Sequence, residues 1–182
     1  MKTRHFCFEN GKYWKTEEEL PPPGESEILV KTSKSLVSVG TETTVNTGKS
    51  DWKVGRHGYS NVGQVVEVGE KVTEFEIGNR VFSHRNHTDY YVSSPESCCR
   101  LPDEVGDSDG TYVALGCVAM HAIQRASPSF GQPVVVVGLG TVGQLTLQLA
   151  RVAGAGRLIA VDIDLGRRGL SCELGADDAI FP

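Results

Sequence analysis

The feature that most constrains the fold is a glycine-rich segment that follows four consecutive valines. The run Val134–Val137 leads directly into Gly138-Leu139-Gly140-Thr141-Val142-Gly143, and Asp162 ends the next apolar run, 19 residues after the last of these glycines. A continuous apolar run is typical of a parallel strand that is covered on both faces. Glycines and an acid at this spacing are typical of a strand-turn-helix unit that binds a dinucleotide. The sequence therefore predicts a parallel sheet in this part of the chain.

Each glycine of this segment has its own role in a dinucleotide-binding turn. Gly138 permits the tight turn, Gly140 lets the backbone approach a pyrophosphate, and Gly143 lets the helix pack closely against the strand. The N–H groups at the start of that helix, together with its dipole, favour the negative charge of phosphates. The candidate cofactor-binding residues of the turn are Gly138, Leu139, Gly140, Thr141, Val142 and Gly143.

Asp162 indicates which dinucleotide is bound. A carboxylate at the end of the second strand accepts hydrogen bonds from the hydroxyls of the adenosine ribose, and the same charge repels a 2′-phosphate. The sequence therefore favours NAD over NADP. Arg167 and Arg168 keep NADP open as an alternative, because basic side chains just beyond this strand can receive a 2′-phosphate. Arg167 is accordingly a candidate cofactor-binding residue.

Strands and helices alternate through the second half of the chain. A helical pattern covers about residues 108–126, a second strand is predicted over Leu158–Val161, and a third begins at Asp178. The order β-α-β-α-β is typical of a doubly wound sheet. The predicted buried helix positions are Val113, Leu115, Met120, Ala122 and Ile123 in the first helix, and Val142, Leu145, Leu149 and Val152 in the second.

Residues 134–182 hold only about one and a half βαβ units at ~30 residues each. A complete dinucleotide fold has two such halves, so the chain is expected to be a fragment of a longer protein. In the complete fold the strand Val134–Val137 is central. In a chain of 182 residues this apolar strand lies instead at the edge of the sheet. The 182-residue chain is therefore expected to associate through this strand and to be inactive by itself.

The first half of the chain is predicted to be rich in β-structure. Asn10-Gly11 between two alternating runs is a hairpin signal, and short strands separated by glycines predict a small barrel or sandwich. The predicted strands are Arg4–Glu9, Lys12–Lys15, Glu27–Ser33, Val62–Val68, Asn79–Ser83 and Asp89–Ser93.

Composition excludes several function classes. Eighteen Lys and Arg against 23 Asp and Glu give a net charge of −5 without a basic cluster, which argues against nucleic acid and anionic membranes as partners. The five cysteines are an odd set without a Cys-x-x-Cys pair, and the first residues carry no apolar signal segment. These features favour a cytoplasmic protein with reduced thiols.

The order of these motifs resembles the medium-chain dehydrogenase/reductase superfamily, in its zinc-type alcohol and threonine dehydrogenase-like form. The motifs are a turn at Gly40-Thr41-Glu42, then a strand that runs from Gly58 to Gly69, then a strand with Gly78-Asn79-Arg80-Val81, then the dinucleotide turn. The resemblance implies a GroES-like β-barrel catalytic domain over residues 1–125, with its linking helix at about 108–126. It implies the first half of a Rossmann NAD-binding domain over 126–182, and a homo-oligomer for the intact protein.

The zinc ligands of that superfamily are not matched. By the resemblance they fall at Val39, Tyr59 and about Ala114, whereas catalytic zinc needs three N, S or O ligands. The chain therefore resembles a zinc-independent branch, and Gly58-Tyr59-Ser60-Asn61-Val62-Gly63 is most similar to the branch that includes bacteriochlorophyllide a dehydrogenase. A metal site built from His84, His87, Cys98 and Cys99 is disfavoured, because adjacent cysteines are poorly placed to chelate one ion.

Without zinc, side chains must polarise the substrate oxygen or relay its proton. Thr41 falls where the superfamily's hydroxyl touches that oxygen, Tyr59 replaces a ligand, and Glu42 can orient either of them. His87 is a candidate proton relay, with the alternative that His84 and His87 are two solvated loop histidines.

These residues predict an NAD-dependent oxidoreductase that acts on a small alcohol/carbonyl pair without zinc. The alternatives are an NADPH-linked enoyl or quinone reductase of the same superfamily, and a truncated, non-catalytic nucleotide-binding or assembly module.

Overall fold

The computed structural model describes residues 1–9, 12–46 and 55–182. The chain divides into two compact units, Met1–Val113 and Ala114–Pro182. The domain boundary expected from the sequence lay at residue 125, after the linking helix. In the structure the division falls after Val113, so that residues 114–126 of that helix are grouped with the second unit.

The first unit is built mainly from antiparallel strands, as predicted. Its described elements are β1 (Lys2–Glu9), β2 (Lys12–Glu19), β3 (Ile28–Ser35), α1 (Val39–Asn46), β4 (Gly55–Arg56), β5 (Asn61–Val68), β6 (Arg80–Ser83), β7 (Tyr90–Ser93), a 3₁₀ turn (Pro95–Ser97), β8 (Cys98–Arg100) and α2 (Asp107–Gly110). Their order is β7-β3-β5-β6-β8 in one sheet and β2-β1-β4 in the other.

The two sheets of the first unit are linked through β1. The amide of Phe6 donates to the carbonyl of His87 at 3.0 Å, and the amide of Asp89 donates to the carbonyl of Arg4 at 3.1 Å. The segment before β7 therefore runs beside β1 and carries the strand pairing from one sheet to the other. The core of the larger sheet consists of Ile28, Val30, Val65, Phe75, Val81 and Tyr91.

The hairpin prediction is confirmed by the antiparallel pairing of β1 with β2, although its Asn10-Gly11 turn lies outside the described residues. Gly40-Thr41-Glu42, expected as a turn, lies instead within the helix α1. The amide of Glu42 donates to the carbonyl of Ser38 at 2.9 Å, and the Glu42 carboxylate accepts the amide of Ser38 at 2.8 Å. An acid that reaches back to the residue before a helix stabilises the first turn, which explains why a helix forms here.

The second unit has the predicted alternation of strands and helices. Strand β9 (Val134–Val137) leads to α4 (Thr141–Val152), and β10 (Leu158–Val161) leads to α5 (Leu165–Glu173) and β11 (Asp178–Ile180). The parallel sheet has the order β11-β10-β9. This is the first half of the Rossmann-type fold predicted from the glycine-rich turn. The sheet is preceded by α3 (Val113–Ala126), on which Leu115 is buried while Met120 is exposed, contrary to expectation.

The face that α4 buries is different from the predicted one. The buried positions are Gln144, Leu147 and Ala150, whereas Val152 is 84% exposed. The reason lies at Gly143, where an added Cβ would come within 1.9 Å of the carbonyl oxygen of Gly138. That close approach turns the Gly143 face toward the sheet, and positions four and seven residues later follow it.

Strand β9 lies at an edge of the parallel sheet, as expected for this length of chain. Val136 is buried, but Val135 and Val137 are 55% and 76% exposed. In the described part of the chain, none of the helices combines the length and the apolar character needed to cross a membrane.

Candidate functional site

The glycine-rich turn has the geometry that its sequence predicts. Gly138 has φ +89°, a conformation that favours glycine, and Gly140 is the N-cap of α4. A Cβ added at Gly140 would meet nothing within 4 Å, so the backbone is open to a ligand on that side. The first amides of α4, at Thr141 and Val142, have no carbonyl in the preceding turn to bond, and an anion can accept from them.

Asp162 holds this turn in place from the end of β10. Its Oδ2 accepts the amide of Leu139 at 2.6 Å, and its Oδ1 accepts the amide of Asp164 at 2.8 Å. These two hydrogen bonds, from Asp164 and Leu139, hold the pKa of the Asp162 carboxyl below its ordinary value, against the effect of burial and with help from nearby arginines. A carboxylate has about four acceptor positions, so an ionised Asp162 can still accept from a ribose hydroxyl.

The two arginines after β10 have different surroundings. Arg168 Nη1 donates to the backbone carbonyl of Asp162 at 2.6 Å, and its guanidinium lies 5.7 Å from the centre of the Phe181 ring. Arg167 Nη1 lies 3.8 Å from Asp162 Oδ2, and its side chain is 57% exposed. Of the two, Arg167 is therefore the one with room to meet a phosphate beside the ribose position.

Gln144 is a residue of this region that the sequence analysis missed. It is buried on α4, and its Nε2 donates to the backbone carbonyl of Arg167 at 2.9 Å. Gln144 therefore ties the start of α4 to α5. A polar residue on the predicted outer face of a helix gave no signal of such a role.

A second polar cluster lies in the first unit and brings together two of the predicted catalytic residues. His87 Nε2 lies 3.3 Å from Glu42 Oε2, although the residues are 45 positions apart in the chain. On the other side of the ring, His87 Nδ1 lies 2.8 Å from the hydroxyl of Ser35, which the sequence analysis did not single out. His87 is only 7% exposed, so the alternative that both histidines are solvated loop residues is wrong for His87, whereas His84 is exposed.

The charge state of this cluster follows from its hydrogen bonds. Burial by itself raises the pKa of the Glu42 carboxyl, but hydrogen bonds from His87 and the Ser38 amide, with the nearby His57, bring that pKa below its ordinary value. Glu42 is therefore a carboxylate and can only accept, so His87 Nε2 carries the proton between them. In the tautomer with its proton on Nε2, His87 accepts a hydrogen bond from the Ser35 hydroxyl at Nδ1.

The cluster forms one end of a cavity of about 380 Å³. Its lining consists of Phe6, Cys7, Phe8, Tyr13, Ser35, Val37, Glu42, His57 and His87. His57 Nε2 donates to the carbonyl of Phe8 at 3.0 Å, which fixes that ring against the wall. At Gly58, φ is +97° and an added Cβ would lie 2.8 Å from the His87 ring, so a residue with a side chain would displace His87.

The other two predicted catalytic residues do not join the cluster among the contacts that the structure describes. Thr41 lies half-buried on α1, one position before Glu42, and Tyr59 is half-buried before β5. The backbone carbonyl of Tyr59 accepts the Nδ1–H of His84 at 3.1 Å. The roles of Thr41 and Tyr59 stay predictions, and Glu42 pairs with His87 rather than with either of them.

The side chains described here do not fit a catalytic zinc ion. Over residues 1–9, 12–46 and 55–182, no group of three or more His, Cys, Asp or Glu is arranged to hold a metal. Val39 and Ala114, at two of the expected ligand positions, offer no donor atom, and Ala114 is buried on α3.

Comparison with known proteins identifies the first unit. The model of the alcohol dehydrogenase GroES-like domain matches residues 24–129. A sorbitol dehydrogenase of Bombyx mori is 27% identical over an alignment 155 positions long, which spans 68% of this chain and 44% of the relative. An uncharacterized zinc-type alcohol dehydrogenase-like protein of Escherichia coli is 26% identical over an alignment 196 positions long, gaps included, which spans 87% of this chain and 56% of that protein.

A solved structure extends the likeness to both units. The structure of a candidate zinc-binding dehydrogenase from Sinorhizobium meliloti, bound to NADP, matches with a TM-score of 0.87 and 22% identity. The match covers 100% of this chain and 62% of that one. This chain thus spans about half to two-thirds of the length of these relatives.

Proposed function

Because this chain belongs to the alcohol dehydrogenase GroES-like domain family, we propose that it serves a nicotinamide-dependent oxidoreductase that interconverts an alcohol and a carbonyl compound without catalytic zinc. The observation that carries the proposal is the pairing of buried His87 with half-buried Glu42 in the lining of a cavity. The family membership supports the oxidoreductase class, while the zinc-free reaction rests on the side chains that replace the ligands.

The nicotinamide, when bound, supplies or accepts the hydride, and the chain has to manage the proton of the substrate oxygen. His87 can take up that proton because Glu42 stabilises the imidazolium that results. Burial of the pair in a cavity strengthens this interaction, since water screens it less. In the second unit, the dinucleotide is held by Gly138, Gly140, Gly143 and Asp162.

For the cofactor, we expect NAD to bind more tightly than NADP. Asp162→Ala should weaken NAD binding roughly ten- to a hundredfold, because the ribose hydroxyls lose a charged acceptor and the turn loses its hydrogen bond at Leu139. Titration of both nucleotides, followed by their fluorescence, measures this. Arg167→Ala is the matched control and should leave NAD affinity unchanged.

A tighter affinity for NADP would instead favour the NADPH-linked reductase as the function. One observation supports that alternative, namely the exposed Arg167 beside Asp162. In that case Arg167→Ala, rather than Asp162→Ala, should cause the larger loss of affinity, because the guanidinium would pair with the 2′-phosphate.

For the metal, we expect the purified protein to hold no stoichiometric zinc and to keep its turnover in the presence of a chelator. The physical reason is that Val39 and Ala114 supply no ligand atom. Elemental analysis of the purified protein measures the metal content. Zinc close to one ion per chain, or a loss of turnover on chelation that added zinc restores, contradicts the proposal.

A further inference from the structure

The walls of the cavity in the first unit are mainly apolar and aromatic. Its lining includes Phe6, Phe8, Tyr13 and Val37. The rings of Phe8 and Tyr13 meet edge to face, with centroids 4.3 Å apart. A cavity of about 380 Å³ lies within the range of small-molecule sites, which are typically apolar with a few placed polar groups.

Among the described residues of the lining, Glu42, His87 and His57 already have hydrogen-bond partners. Glu42 accepts from Ser38 and His87, and His57 donates to a backbone carbonyl. A polyol bound here would bring several hydroxyls against aromatic walls, and each hydroxyl left without a partner weakens binding. A compound with one oxygen and an apolar body loses nothing at those walls.

Ser35 has hydrogen-bonding capacity left for one such oxygen. A serine hydroxyl has one donor and two acceptor positions, and the donor of Ser35 is directed to His87 Nδ1. Its acceptor positions remain for a hydroxyl that enters from the cavity.

From these observations we propose that the cavity binds a primary or secondary alcohol with an apolar, aromatic-sized body, or the corresponding carbonyl compound, and that Ser35 contacts its oxygen. This inference rests on the proposed function for the reaction, but the binding it describes does not require the nucleotide. Ser35 is thereby a catalytic residue that the sequence did not indicate.

The proton path for oxidation balances through these residues. The substrate O–H donates to Ser35 Oγ, the Ser35 proton moves to His87 Nδ1, and the imidazolium is stabilised by Glu42. When bound, an oxidised nicotinamide would accept the hydride of the substrate C–H bond, and the C–O bond would become a carbonyl. Reduction follows the same path in reverse, with His87 as the source of the proton.

The test is a ¹⁹F NMR titration of the protein with 4-fluorobenzyl alcohol, without nucleotide. We expect the unaltered protein to bind this alcohol. Phe6→Thr and Val37→Asn should each weaken the binding roughly tenfold, because each substitution removes apolar surface from the cavity wall or adds a polar group without a partner. Both side chains are partly exposed, which favours retention of the fold. Ile77→Asn, at an exposed apolar residue outside the cavity lining, is the matched control and should change nothing.

Ser35 is tested by comparing two probes that differ by one hydroxyl. Ser35→Ala should weaken the binding of 4-fluorobenzyl alcohol roughly three- to tenfold, because the alcohol donates a hydrogen bond to Ser35. The affinity for 4-fluorotoluene, which has no hydroxyl, should not change. Ser97→Ala, on the exposed 3₁₀ turn, is the control. If Ser35→Ala weakens the binding of both probes equally, Ser35 does not contact the oxygen of the alcohol.

Two outcomes overturn the substrate class, namely no binding of 4-fluorobenzyl alcohol or its displacement by an equal concentration of sorbitol. If the protein oxidises sorbitol but does not bind the aromatic alcohol, the inference fails and the proposed function stands. If the aromatic alcohol binds as expected but the intact enzyme transfers no hydride with NAD or NADP, the cavity assignment stands and the proposed function fails.

Discussion

Replacing Gly143 with alanine is expected to destabilise the second unit strongly and to abolish nucleotide binding. An added Cβ would lie 1.9 Å from the carbonyl oxygen of Gly138 and 3.0 Å from its carbonyl carbon. Both atoms belong to the backbone, so no side-chain rotation relieves the clash and α4 has to move away from the turn. Overpacking that shifts backbone costs about 3 kcal/mol or more. Chemical denaturation measures the free energy of unfolding, and nucleotide titration measures binding.

The matched control is Gly169→Ala on α5. A Cβ at Gly169 would meet nothing within 4 Å, and alanine stabilises a helix interior by about 0.5–1 kcal/mol relative to glycine. Both substitutions replace glycine with alanine, but only at Gly143 does the added Cβ meet backbone atoms. Gly143→Ala should therefore lower the free energy of unfolding, whereas Gly169→Ala should raise it. Similar effects at Gly143 and Gly169, or normal nucleotide binding by Gly143→Ala, would show that α4 does not depend on the close approach at Gly143.

The sequence predicted the parallel unit well because its constraints are local. The positive φ at Gly138, the close packing at Gly143 and the acid at the end of β10 each follow from a residue type at a fixed spacing. The buried face of α4 was predicted wrongly because the helix carries apolar residues on two faces. Hydrophobic periodicity cannot choose between two such faces, and the contact between Gly143 and Gly138 makes the choice.

The cluster in the first unit was predicted only in part because its contacts are long-range. Glu42 and His87 were singled out separately, but their pairing depends on how the segment before β7 runs beside β1. Ser35 lies 52 positions before His87 and ends strand β3, whose pairing with β5 is irregular between Thr32 and Lys34. That irregularity breaks the regular alternation of faces that would otherwise place Ser33 and Ser35 on the same side. Nothing in the local sequence distinguishes Ser35 from Ser33, which hydrogen-bonds to Asp107 instead.

The second large effect is expected at Glu42. Glu42→Gln keeps the shape of the side chain but removes the charge that stabilises a protonated His87. If His87 relays the substrate proton, kcat should fall about 10²–10³-fold with little change in KM for the nucleotide. Steady-state kinetics of the intact enzyme with a small aromatic alcohol and NAD measure this, under conditions where circular dichroism shows that the variant is folded.

The same variant should lose part of the acid sensitivity of folding. The pKa of Glu42 is below its ordinary value in the folded protein, so its carboxylate stabilises the fold above the unfolded-state pKa. That contribution is lost as the pH falls through the folded pKa, in the range below about pH 4. The free energy of unfolding should therefore decrease less steeply in this range for Glu42→Gln than for the unaltered protein.

Asp107→Asn separates a catalytic from a structural role for Glu42. Asp107 also has a pKa lowered by a hydrogen bond from Ser33 and by its pairing with Arg80, but it does not line the cavity. Asp107→Asn should thus reduce the acid sensitivity of folding in the same direction and leave kcat unchanged. If the two variants lose turnover to the same extent, Glu42 acts only by stabilising the fold, and the proton relay through His87 has to be abandoned.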